Sequence, residues 1–262
     1  MKKLLVVIFT IIYMVLIIHC KKIVEPVPST NIERYFSLYF YVDHVGYNHS
    51  PFINVKFWTT DISRIPLVTI NGEIMELFEP SYDGILEGSI YSLQFSDTVN
   101  YIVAEAGKTT TGNIIIPTDP YDMLCNGIPF DEDDIIYITS SNSYDFSWSC
   151  NIYDYFILYW QTGYTEKGNI TSDKNISYND DGSDFNRFII ISHKGASLMS
   201  GSKPNAIGDY GKGYVFAESE YNYYYLEIET NQKFQSFNIS KEIKIKNYRR
   251  KFIDLISKKD KI

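Results

Sequence analysis

The amino-acid sequence predicts an all-β chain: two tandem antiparallel β-sandwiches behind an export signal, with a short C-terminal helix. Three observations carry that expectation. Short runs rich in Tyr, Phe, Ile and Val recur through residues 35–246, and β-branched and aromatic side chains suit a pleated, half-buried surface. Turn signals punctuate these runs about every 8–12 residues, the spacing of a sandwich. A segment with three prolines and an acidic cluster, "PTDPYDMLCNGIPFDEDD", divides the runs into two groups. The 262 residues leave room for two domains, and a hydrophobic content of 45% suffices for a packed core.

The amino terminus comes first. Lys2 and Lys3 precede an apolar run from Leu4 to Ile18, broken only by Thr10 and Tyr13. Fifteen residues fall short of the ~20 a membrane-spanning helix needs and fit the apolar region of a signal peptide. The run stops at Cys20, ahead of polar, Pro-containing sequence. This resembles a bacterial lipoprotein signal, in which the Cys thiol is acylated and cleavage leaves that Cys as the first residue. Residues 1–19 are then the signal peptide, and 20–34 are the lipidated Cys20 with its linker. His19 departs from the motif, which has a small residue there. An uncleaved anchor and ordinary secretion are the other readings, and all three export the chain.

The first sandwich is expected over 35–117. "RYFSLYFYVDHV" and "PFINVKFWTT" open it. Asn71-Gly72 in "LVTINGEIMELFE" is a two-residue hairpin signal, repeated at Asp83-Gly84, and "VNYIVAEAGKTTTGNIIIP" turns at Ala106-Gly107-Lys108. A linker is read at 118–133 and a second sandwich at 134–246. In its "FSWSC" stretch, Phe146, Trp148 and Cys150 alternate onto one face. The only helix candidate is 247–259, where Phe252, Leu255, Ile256 and Lys259 are spaced for one side, within a basic tail of 247–262.

"LVTINGEIMEL", "DGILEGSIYSL", "NYIVAEAGKTTTGNIIIP" and "GDYGKGYVFAES" resemble modules of uncharacterised bacterial envelope lipoproteins. Those carry an immunoglobulin-like domain followed by a second β-domain. "YDFSWSCNIYDYFILYW" is similar to the second and third strands of fibronectin type III modules. The resemblance implies fold and an envelope location, and transfers no site.

Charge is unevenly distributed. Residues 241–262 hold nine Lys/Arg against three Asp/Glu, while 21–240 hold 13 against 29. An acidic body argues against nucleic acid as a partner. The basic tail is either a contact for acidic headgroups or glycans or a solvated helix. Export gives Cys125 and Cys150 two readings, a disulfide closing a loop of roughly 25 residues or two buried thiols.

Chemistry-bearing clusters are few. Asp43, His44 and His49 surround "VGYN" without a reliable third ligand, which favours a polar loop over a zinc site. "NDDGSDFN" (179–186) and Asp131, Glu132, Asp133 and Asp134 have oxygen density for Ca²⁺ but read better as solvated turns. His193 adjoins no recognisable nucleophile, and Ser197, Ser200 and Lys203 lack a Ser-x-x-Lys spacing. "GDYGKG" lies between strands and is no phosphate loop. Neither a metal nor a cofactor is expected. The 23 Tyr include Tyr221, Tyr223 and Tyr225 on one strand face, either core filling or a ligand-contact row for sugars or protein. The expected object is a non-enzymatic lipoprotein of the bacterial cell envelope, anchored in the outer membrane on its periplasmic or surface side. Its expected role is a surface binding or adhesion module for glycan or protein. The alternative is an accessory subunit of an envelope complex, and a hydrolase ranks third.

Overall fold

The computed structural model describes residues 33–43, 51–60, 65–78, 85–129, 135–138, 143–162, 165–179, 185–198, 202–220, 222–228 and 241–259. The first part supplies β1 (Tyr35–Asp43), β2 (Phe52–Thr59), β3 (Leu67–Ile70), β4 (Glu73–Ile74), β5 (Glu76–Phe78), β6 (Leu86–Gln94), β7 (Thr98–Glu105) and β8 (Lys108–Ile115). Next come β9 (Tyr121–Cys125), β10 (Ile128–Pro129), β11 (Ile135–Ile138), β12 (Ser143–Ser149), β13 (Tyr155–Thr162), β14 (Thr165–Thr171) and β15 (Asn175–Asn179). The chain ends with β16 (Phe185–Gly195), β17 (Ala206–Ile207), β18 (Lys212–Glu218), β19 (Asn222–Ile228) and the helix α1 (Lys241–Lys259).

These strands form one long central sheet and two small ones. The central sheet runs β11-β19-β16-β18-β1-β2-β6-β5, with β13 and then β14 added beside β16. Pairing is antiparallel except for β1 with β18 and β11 with β19. The small sheets are β4-β3-β7-β8 and β10-β9-β12-β15.

Strand alternation distributes the core over the two faces of the central sheet. On one face, Phe36, Leu38 and Phe40 of β1 and Val55 and Phe57 of β2 pack with Val68, Val99 and Val103 of the β3/β7 sheet. Farther along that face, Phe156, Leu158 and Trp160 of β13 and Phe188 and Ile190 of β16 pack with Tyr144, Phe146 and Trp148 of β12. The opposite face carries Tyr39, Trp58, Ile189, Tyr214 and Phe216, covered by Tyr248, Phe252, Leu255 and Ile256 of α1.

Two tandem sandwiches are therefore not what this sequence builds. The immunoglobulin-like and fibronectin-like modules would each close on themselves, but here one sheet draws strands from the start, middle and end of the chain. Register pairs Tyr35 with Lys212 and continues to Tyr41 with Glu218. Arg34–Ile262 is a single compact unit. The segment read as a linker, 118–133, contains β9 and β10. The all-β class itself holds. The helix also begins earlier than 247: "KEIKIKN" alternates like a strand yet forms the first turns of α1.

The parallel junction has a tight point. A Cβ added at Gly213 would lie 2.2 Å from the Phe36 ring, its partner across the ladder. Gly213→Ala is expected to cost about 1–3 kcal/mol through this overpacking, read as a lower urea midpoint. Phe36→Leu in the same chain should recover part of that loss, because the two sites couple.

Candidate functional site

A hollow lined largely by aromatic side chains lies beneath α1. It is a cleft of about 410 Å³ between the helix and the β13/β14/β16/β18 part of the central sheet. Alternation sends Tyr155, Ile157 and Tyr159 of β13 to this face. β16 contributes His193 at its end, β18 contributes Phe216, and edge strand β14 contributes Gly168, Asn169 and Ile170. Tyr248 and Lys251 of α1 form the opposite wall, with Ser197 and Leu198 between.

A buried polar network lies at one side of the cleft. His193 is opposite Tyr155 on one neighbouring strand and Glu218 on the other. Its ring stacks on Tyr155 at a centroid distance of 4.2 Å and lies 5.4 Å from Phe216. Glu218 is fully buried and accepts a hydrogen bond from Tyr39 OH at 2.7 Å and another from Tyr248 OH of the helix. His193 Nδ1 lies 3.4 Å from Glu218 Oε1, and Nε2 lies 3.0 Å from the Ala196 carbonyl oxygen. A carbonyl only accepts, so Nε2 carries a hydrogen and donates it. Both imidazole nitrogens are thereby engaged, and neither faces a substrate as a free base. Burial pushes the Tyr155 phenol up, against the opposing effect of its hydrogen bond with Ser197.

The residues singled out in the sequence fare differently. Ser197 and His193 both line the cleft, whereas Lys203 does not. Cys125 and Cys150 are buried free thiols. Cys125 pairs with Phe146, and Cys150 follows Phe146 by four residues, or about 13 Å along the strand. A disulfide requires a Cα separation of about 4.4–6.8 Å. Cys150 Sγ instead lies 3.4 Å from the Thr118 carbonyl oxygen. Asp43 accepts a hydrogen bond from Asn54 at 3.4 Å. His44, His49, Asp131, Glu132, Asp133, Asp134, the 180–184 part of the acidic loop, Ser200, Tyr221, His19 and Cys20 lie outside the described residues. Register aligns Tyr223 with Ile189 and Tyr225 with Arg187, and their side chains also lie outside the description. Among the described residues no three His, Cys, Asp or Glu side chains form a metal-holding group, and no helix is long and apolar enough to cross a membrane.

Three buried acids give the protein an alkaline limit. Burial pushes Tyr41 up from 10.0 to about 12, with Tyr91 and Asp43 adding to it. Burial alone takes Tyr178 to about 12 as well. Cys125 rises from 9.0 to about 12 through burial, aided by Asp145. Each raised value favours the neutral form in the folded state. Their contribution is complete below the unfolded values and is lost as pH climbs from about 9 towards 12. Urea midpoints measured between pH 7 and 11 are expected to stay level and then fall, with Cys125→Ala delaying the onset of the fall.

The cleft was not legible in advance. Its walls come from strands read as parts of one sandwich and from a helix read as a tail. The one available signal was His193 inside an otherwise apolar run, "FIIISHKG". No family model matches the chain, and no curated protein matches it.

Proposed function

We propose that the chain is a non-enzymatic binding protein of the bacterial envelope, held to a membrane through acylated Cys20, and that it takes a small ligand in the cleft beneath α1. The observation that carries this reading is the cleft's lining. Tyr155, Tyr159, Phe216 and Tyr248 surround a preformed hollow of about 410 Å³, within the range of small-molecule sites. Engagement of both His193 nitrogens favours binding over catalysis. The apolar run ending at Cys20 supports the anchor.

The test uses N-phenyl-1-naphthylamine, an uncharged probe that fluoresces in apolar sites. Saturable one-site binding to the purified chain is expected, with at least a tenfold loss in Ile170→Trp. That position is 40% exposed at the cleft wall, so the bulky ring obstructs the site without disturbing the core. Unsaturable binding, or binding indifferent to this substitution, would remove the reading. Intact mass of the membrane-extracted protein tests the anchor: a chain starting at Cys20 with added acyl mass is expected, and Cys20→Ala should abolish it.

A further inference from the structure

We propose that the outer face of the β4-β3-β7-β8 sheet is a second binding site, separate from the cleft, and that it takes an extended, uncharged polysaccharide across a row of three asparagines. Alternation turns Val68, Val99, Tyr101, Val103 and Ile114 of this sheet into the core shared with β1 and β2. The same alternation turns Thr69, Asn100, Ile102, Thr111, Asn113 and Ile115 outwards. No outward position of β3, β7 or β8 is charged. Roughly a quarter to a third of an ordinary surface is Lys, Arg, Glu or Asp, and exposed strands elsewhere in this chain follow that habit, with Glu76 on β5 and Asp145 on β12. A charged partner would find no opposite charge here, so the face fits a neutral one.

Hydrogen-bonding groups identify that partner further. Asn71 and Asn100 are joined twice: the Asn71 N–H donates to the Asn100 carbonyl oxygen at 2.9 Å, and Asn71 Oδ1 accepts from the Asn100 N–H at 2.8 Å. Asn113 pairs with Asn100 on its other side. The three asparagines therefore form a straight rank over about 10 Å, two strand spacings. Beside them lies an open hollow of about 520 Å³, whose walls include Thr69, Asn71, Thr98, Asn100 and Ile102 and carry no charge. An amide presents a carbonyl acceptor and an NH₂ donor side by side, as two adjacent sugar hydroxyls require. In the next rank Ile102 is exposed between Thr69 and Thr111, an apolar seat for the C–H face of a sugar ring.

A second copy of the chain fits less well. Two such faces pressed together would shut the amides into a dry contact, where a donor without an acceptor is costly. Sugar hydroxyls both donate and accept, so a polyol satisfies the amides and the threonines alike.

Calorimetric titration with cellohexaose, an extended neutral glucan, decides the matter. Saturable binding that rising salt leaves unchanged is expected. Hexagalacturonate, with a carboxylate on every sugar, should bind roughly tenfold more weakly, because its charges lose water and gain no partner. Asn100→Ala and Asn113→Ala should each weaken cellohexaose about fivefold, as loss of a hydrogen-bonding side chain does, and Thr111→Arg should obstruct the face and abolish binding. All three positions are exposed, so an unchanged urea midpoint is expected and checks the fold. Absence of saturable binding, binding that survives both Asn100→Ala and Thr111→Arg, or a preference for hexagalacturonate would overturn the inference. So would self-association in sedimentation that cellohexaose leaves intact and Thr111→Arg abolishes, which would assign the face to a second copy. Naphthylamine binding in these variants reads the cleft separately, so neither site's failure is mistaken for the other's.

Discussion

A chain cut after Pro117 is expected to give two fragments that fail to fold separately and recover structure when combined. The reason lies in the shared sheet. β1 would lose β18, its partner over seven residue pairs from Tyr35–Lys212 to Tyr41–Glu218. The core beneath it would lose Ala206, Tyr210, Val215 and Ala217, which pack among Phe36, Phe40, Val55 and Phe57. The bared β1 edge would also offer unpaired backbone groups to other chains, so the N-terminal fragment should aggregate. The expected effect is complete loss of cooperative unfolding in each fragment, seen by circular dichroism and amide dispersion. A well-folded 35–117 fragment would restore the tandem arrangement and overturn the single interleaved sheet.

Why the sequence suggested tandem modules can be read from particular residues. Each small sheet comes from one contiguous stretch, so its hairpins are local and visible. Asn71-Gly72 and Ala106-Gly107 both take positive φ at their two turn residues, as a two-residue hairpin requires. Asn126-Gly127 does the same inside the stretch read as a linker, so the same hairpin signal is present there among the prolines. Asp83-Gly84 lies outside the described residues.

Long-range pairing leaves a fainter trace. In β1 eight consecutive residues from Tyr35 to Val42 are buried, and in β18 six from Gly213 to Glu218. Strands covered on both faces read as unbroken apolar runs. In "YFSLYFYV" (35–42) only Ser37 interrupts the apolar and aromatic side chains. The partner of such a strand is set by tertiary packing and cannot be found from the strand's own pattern. The tyrosines follow the same logic: Tyr35, Tyr39, Tyr41, Tyr144, Tyr210, Tyr214 and Tyr224 are all buried. Much of the aromatic surplus thus fills the two faces of a wide sheet. The cleft depends on α1 closing over β13 and β16, a contact between distant segments with no local signature.

Glu218→Ala is expected to be among the most damaging single substitutions in the described part of the chain, at about 3–5 kcal/mol. Three groups converge on this fully buried carboxylate: Tyr39 OH from β1, Tyr248 OH from α1 and the His193 imidazole. Removing it takes that acceptor from Tyr39 and Tyr248 and a contact from His193, and a buried polar group that loses a bond costs more than a made bond contributes. Glu218→Gln keeps one acceptor and the side-chain volume, so it should cost clearly less, about 1–3 kcal/mol. In a double-mutant cycle Tyr248→Phe should matter less once Glu218 is gone, because its bond is already lost. An apolar replacement of the set, Glu218→Leu with Tyr39→Phe and Tyr248→Phe, should regain much of the stability, as buried charge networks often do when replaced whole. What that replacement should not regain is the fixed seat of α1, since Tyr248 and Glu218 join helix to sheet through a directional bond. Naphthylamine binding therefore separates the two roles. A triple variant with restored urea midpoint but weakened probe affinity would identify the network as what holds the cleft in shape. Full recovery of both would reduce it to a replaceable part of the core.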